Sequence, residues 1–158
     1  MGSRSSGSSG AVALRKMKFC RINLSKTNYE LYPDSSRWCW ASGLEPFSQI
    51  YQDYCRYKKF NSVMPLFLSQ FQDSANDIHV FRHCNKVVAW SLCRRWDDHS
   101  AESLQFAWNY QNPELEMGIR SLEHECAYYK SLGYQYLYLG ETANYKAAFD
   151  GYEIIGPI

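Results

Sequence analysis

The chain has 158 residues, a net charge of +1 and 16% aromatic residues, including thirteen tyrosines and five tryptophans. The near-neutral balance supplies no bulk field to steer the chain onto nucleic acid or an anionic membrane, and no apolar run approaches the length of a membrane span. Hydrophobic and charged contents of 46% and 21% are those of a globular domain. The first ten residues, MGSRSSGSSG, carry no periodicity and read as a disordered expression tag, which leaves 11–158 as a single domain.

In chain order, "VALRKMKFCRINL" (12–24) is expected to open the domain as a strand. "SSRWCWASGLEPF" reads as a loop, with Trp38 and Trp40 in it. The next stretch, to Phe60, places Phe47, Ile50, Tyr51, Tyr54 and Tyr57 at helical spacing behind Pro46. Met64 to Phe71 suggests a short helix after Pro65. "DIHVFRHC" and "KVVAWSLCRRW" are strand-like runs joined at Asn85, a tight-turn residue. A polar tip, "DDHS", leads to "AESLQFAWNY", where Leu104, Phe106, Trp108 and Tyr110 recur at period two.

Pro113 ends that strand. From Glu114 to Leu132 the period becomes helical, with Leu115, Ile119, Leu122, Cys126 and Tyr129 spaced by three or four, and Gly133 stops the helix. His124, between Glu123 and Glu125, is expected at the surface. "YQYLYL" follows as a strand, with Tyr134, Tyr136 and Tyr138 on one side and Gln135, Leu137 and Leu139 on the other. "GYEII" is the last strand, after a short helix. Six scattered cysteines without any CxxC read as reduced thiols of a cytoplasmic protein, and their spacing makes no zinc site.

A meander whose third strand leads to a helix and a parallel return strand resembles the GCN5-related N-acetyltransferase (GNAT) fold. The expected class is therefore α/β (α+β), a mixed central sheet with an antiparallel meander followed by a parallel strand–helix–strand unit. The motifs narrow the resemblance. Phe106, Tyr110, Asn112-Pro113, Met117-Gly118, Leu132-Gly133, Tyr136-Leu137-Tyr138-Leu139-Gly140, Tyr145-Lys146-Ala147 and Glu153 are similar to the C-terminal half of bacterial arginyl/leucyl aminoacyl-tRNA–protein transferases. Only "ETAN" separates the Leu-Gly strand from Tyr145-Lys146, where that family has a longer segment.

The resemblance implies an acyltransferase that moves an acyl group from acetyl-CoA, or an aminoacyl group from aminoacyl-tRNA, onto an amine. The acceptor would be a protein or a small molecule, with tRNA as a possible partner and no metal. In this fold the two parallel strands splay, so Tyr110 to Asn112 and Tyr138 to Glu141 would flank the gap. Backbone N–H groups over Met117, Gly118, Ile119, Arg120 and Ser121 would face a donor's phosphates, with Arg120 adding charge. Leu115-x-x-Gly118-x-Arg120 retains the first glycine of the acetyl-CoA signature. Tyr145 is the expected general acid and Glu141 the base. A GNAT-like module that binds a peptide or nucleic acid without chemistry is the alternative, and acylation of a nucleobase a more remote one.

Overall fold

The computed structural model describes residues 18–38, 47–60, 65–109 and 111–156. The strands are β1 (Phe19–Asn23), β2 (Ser35–Trp38), β3 (Asn76–His83), β4 (Lys86–Arg95), β5 (Ser100–Trp108), β6 (Tyr136–Glu141) and β7 (Tyr152–Ile154). The helices are α1 (Phe47–Lys58), α2 (Leu68–Gln72) and α3 (Met117–Ser131). One sheet holds all seven strands in the order β2-β3-β4-β5-β6-β1-β7. Every adjacent pair is antiparallel except β5–β6, which is parallel and joined through α3. The expected meander and strand–helix–strand unit are both present.

Local sequence explains the central strands. β4 is buried on both faces, so it reads as a nearly continuous apolar run rather than an alternation. The β3–β4 turn places Cys84 and Asn85 at φ 51° and 65°, the left-handed pair that a tight hairpin of this twist requires. At the β5 hairpin tip, Asp97 Oδ1 accepts from the backbone N–H groups of His99 and Ser100, at 2.7 and 2.8 Å. That carboxylate has a structural task.

Helices cover both faces of the sheet. On one, Phe47 of α1 and Phe71 of α2 pack on Ile78, Val80, Trp90 and Leu92, and the Trp90 indole donates to the Phe47 carbonyl at 3.1 Å. On the other, Leu122, Cys126 and Tyr129 of α3 pack on Cys93, Ala101, Leu137 and Leu139. This second layer contains polar atoms as well. Tyr129 donates its hydroxyl to Asp77 at 2.7 Å and lies 3.1 Å from His79 Nε2. Asp77 also pairs with Arg37 and Arg95, at 3.3 and 3.1 Å.

Several expectations need correction. Residues 35–38 form an edge strand against β3, not a loop, because serine and arginine on the outer edge hide the apolar signal. α3 begins at Met117; Pro113–Leu115 is a separate 3-10 turn, separated from it by Glu116 at φ 50°. Tyr134 precedes β6 and packs on Tyr129, so it does not share a face with Tyr136 and Tyr138. His124 and Glu125 are buried, at 4% and 1% exposure. His124 Nδ1 accepts the backbone N–H of Tyr32 at 3.0 Å, which turns that side of the helix toward the β1–β2 connection.

Candidate active site

The site is made by the way two strands separate. β5 and β6 pair at Ser100–Tyr136, Ala101–Leu137 and Glu102–Tyr138 and no further, although β5 runs on to Trp108 and β6 to Glu141. Each strand has an extra residue just past the last pair. Against β4, Leu92 faces Gln105 and Cys93 faces Ser103, so Leu104 is a bulge. Against β1, Cys20 faces Gly140 and Arg21 faces Tyr138, so Leu139 is another. A bulge bends its strand and raises the local twist. Two of them on opposite lips hold a V open, with Glu102 and Tyr138 at its apex. Gly140, at φ 75°, takes the left-handed conformation next to the second bulge.

Below the V, toward α3, lies a cavity of about 170 Å³ whose walls include Ser103, Leu104, Gly118, Glu125, Leu139 and Tyr145. It adjoins an aromatic groove of about 310 Å³ bounded by Tyr54, Lys58, Phe106, Trp108, Gly118 and Tyr145. Gly118 sits where the two meet, and a Cβ there would meet nothing within 4 Å. Packing therefore does not account for the glycine, and the open space lets a ligand approach the backbone. Glu116, the residue before α3, makes no side-chain cap, leaving the helix N-terminus for an anionic group. Lys58 stands on the rim of the same groove.

The opposite face of the V has its own cavity, about 320 Å³, bounded by Phe19, Cys20, Trp96, Glu102, Tyr138 and Ile155. The Trp96 indole donates to Glu102 Oε1 at 2.9 Å. Tyr138 receives a hydrogen bond from Arg21 at 3.3 Å, and the Arg21 guanidinium stacks 3.8 Å from the Tyr136 ring and pairs with Glu153 at 2.8 Å.

The residues singled out from sequence fall into separate groups. Gly118, Ser121, Tyr145 and Lys146 line the cavity on the α3 side, and Met117 and Ile119 line the adjoining groove. The Lys146 ammonium donates to the carbonyls of Leu139 and Glu141, at 2.9 and 2.7 Å, and so ties the last turn to the end of β6. Burial pushes the Tyr145 phenol up, the nearby Glu125 adding to the effect. Tyr138 belongs to the opposite cavity. Arg120 is turned from the cleft, with its guanidinium 4.5 Å over the Tyr32 ring. Glu141 is exposed at the end of β6 and lines none of these three cavities. Tyr110 lies outside the described residues.

Two carboxylates were missed. Glu102 sits two residues before the β5 bulge, and nothing local marks a bulge in "AESLQFAW". Glu125 was legible: it follows Leu122 by three residues and precedes Tyr129 by four, which puts it on the apolar stripe of α3. Burial raises its carboxyl above the usual range, while Ser103, Cys93 and Ser91 pull the other way. Among the described residues no cluster of histidine, cysteine and carboxylate side chains is arranged to hold a metal.

No protein-family model matches the chain, and no curated protein matches it in sequence. Solved structures do. L-PGS from Bacillus licheniformis superimposes with a TM-score of 0.62 at 12% identity, over 81% of this chain and 48% of that one. The C-terminal domain of a putative lysylphosphatidylglycerol synthetase from Agrobacterium fabrum gives 0.55 at 11%, over 80% and 47%. The chain thus spans about half the length of both. An aminoglycoside acetyltransferase from an uncultured soil metagenomic sample gives 0.54 at 12%, over 72% and 80%. These likenesses, the seven-stranded mixed sheet and the splayed parallel pair together show that the chain has a GNAT-like fold.

Proposed function

We propose that the protein is an acyltransferase that moves an acyl or aminoacyl group onto an amine. The observation that carries this reading is the V between β5 and β6, open to a cavity on each face of the sheet, with Glu102 and Tyr138 paired at its apex. Such a gap lets a donor and an acceptor meet edge to edge from opposite sides, which supplies the orientation that makes a bimolecular step effectively unimolecular.

The donor enters on the α3 side, its phosphates at Gly118 and the α3 N-terminus, with Lys58 nearby. An acyl thioester or an aminoacyl ester would supply an activated carbonyl there. The acceptor enters on the other face. Glu102 lines that cavity and takes the proton from the incoming ammonium, freeing the nitrogen lone pair to form the new C–N bond. Glu102 lines the acceptor cavity, whereas Glu141 is exposed at the end of β6 and lines none of the three cavities. Tyr145 lines the donor side and gives its proton to the departing sulfur or oxygen; its phenol, protonated at neutral pH as an ordinary tyrosine is, has that proton to give.

Acetyl-CoA and aminoacyl-tRNA are the rival donors. The test pairs calorimetric titration of coenzyme A and of a charged tRNA with mass-spectrometric detection of N-acylated product on a lysine-containing peptide. Micromolar coenzyme A binding supports the first donor; tRNA binding without coenzyme A binding supports the second. Product from neither donor, with the protein folded, overturns the acyltransferase reading.

A further inference from the structure

The walls of the acceptor cavity do not suit every amine. Phe19, Trp96, Tyr138 and Ile155 make most of them, and of the described residues that line it only Glu102 carries a formal charge. Glu102 forms no ion pair among the described residues. The Tyr138 hydroxyl already accepts from Arg21, itself paired with Glu153, so the ring of Tyr138 is left as wall. Trp96 is 56% exposed, yet it is held from two directions. Its indole N–H donates to Glu102 Oε1 at 2.9 Å, and the Arg94 guanidinium lies 4.9 Å from its ring. Arg94 pairs with Asp73 at 3.1 Å, and both line a neighbouring cavity of which Trp96 is also a wall.

The hairpin does not need this tryptophan. Its turn is closed by the Asp97 carboxylate and by the bond from the Trp96 backbone N–H to the Ser100 carbonyl, and neither involves an indole. A large apolar ring left in water and fixed beside a carboxylate is instead a surface on which a ligand can stack. Aromatic and aliphatic walls reward an apolar body by about 25 cal/mol per Å² removed from water. A body rich in hydroxyl groups would lose its hydration there and find few hydrogen-bond partners in return. The one carboxylate, with no cation beside it, suits a single ammonium.

We propose that the acceptor is a primary amine carried on an apolar aryl or alkyl body, with Glu102 pairing its ammonium and Trp96 selecting its body. The inference rests on the acyltransferase reading for the word "acceptor" but not for the subsite, which binds such an amine whether or not turnover occurs. Trp96 is then the specificity-determining residue of this face. A free arylalkylamine and the tip of a lysine side chain share the chemistry.

The probes are phenethylamine, phenethyl alcohol, which has the body without the charge, and aminoethoxyethanol, which has the charge on a polar body. Each is titrated into the full chain near neutral pH, followed by backbone amide shifts at Phe19, Glu102, Tyr138 and Ile155. Phenethylamine should bind at least about tenfold tighter than either of the others. Trp96→Ala should shrink its advantage over the polar amine to below about threefold and leave its advantage over the alcohol. Glu102→Gln keeps an oxygen for the indole N–H and should do the reverse. Equal binding of phenethylamine and either comparison probe to the wild type overturns the proposal without recourse to any variant. So does a preference for the apolar body that survives Trp96→Ala, or the absence of shifts from phenethylamine. Nα-acetyl-lysine methylamide assigns the source within the class. Binding as tight as that of phenethylamine supports a lysyl chain, and binding at least about tenfold weaker supports a free amine. Failure of the acyltransferase reading would appear instead as absent product in the turnover assay while phenethylamine still binds.

Discussion

His124 offers a direct test of the packing under α3. The imidazole is 4% exposed, its Nδ1 accepts the Tyr32 N–H at 3.0 Å, and its ring is packed by Phe81, His79 and Tyr128. Burial lowers its pKa from 6.5 to about 4. A group whose folded pKa lies below its unfolded value contributes stability that is present above the unfolded pKa and is lost as pH falls toward the folded one. The window is therefore pH 6.5 down to about 4. Linkage gives a loss of about 2 kcal/mol on going from pH 8 to pH 5. That figure hardly changes if the folded value is lower still, because the imidazole is already neutral in the folded state at pH 5.

The assay is urea unfolding of the wild type and of His124→Asn at pH 8 and pH 5. Asparagine replaces Nδ1 by an amide oxygen that accepts the same N–H and does not titrate. The variant will be less stable at both pH values from lost ring packing, so the readout is the difference between the two pH values. That difference should be smaller in the variant by about 2 kcal/mol. Comparing within each protein cancels the other titrating groups. His79, lowered to about 3 chiefly by its own burial, with His124 and Arg37 adding to the effect, is neutral from pH 8 down to pH 5 while that burial holds, and Glu125, with its raised pKa, gains stability as pH falls. A pH dependence unchanged to within about 0.5 kcal/mol would refute the claim that His124 is buried neutral.

Gly151 has φ 77°, and a Cβ there would collide with the Asn23 carbonyl on the adjacent strand, so Gly151→Ala should cost about 2 kcal/mol or more in urea unfolding. Tyr129→Phe removes the hydroxyl between Asp77 and His79 and should cost about 1–3 kcal/mol by the same measure, with no change in the far-ultraviolet circular dichroism. In an acyl-transfer assay Glu102→Gln should lower kcat by about 10²–10⁴ at neutral pH, with a smaller deficit at high pH where the acceptor amine is already neutral. Tyr145→Phe should lower kcat by about 10² or more for donors with a poor leaving group, and less for an activated thioester. Wild-type rates in either variant would remove that residue from the mechanism.

The elements were legible where one physical signal dominated. The alternation in "YQYLYL", the apolar run of β4 and the three-and-four spacing of α3 each follow from burying one face or two, and each element is present, with β6 starting two residues and α3 three residues later than the pattern suggests. β2 was missed because an edge strand of four residues, exposed on its outer side, has almost no apolar pattern to show. Glu125 was not singled out, although its spacing from Leu122 and Tyr129 put it on the buried stripe.

Local sequence thus determined the strands other than β2 and the helix between β5 and β6, because hydrophobic period acts over short range. The site itself was decided only in three dimensions. Nothing in "AESLQFAW" or "YLYLGE" announces that Leu104 and Leu139 bulge, since a bulge is a mismatch between a strand and its neighbour and exists only once both are paired. The insertion of β1 between β6 and β7 is likewise a long-range pairing that no local window contains. From those pairings come the opening of the V, the turning of Arg120 onto Tyr32, and the placing of Glu102 and Glu125 on opposite sides of one gap.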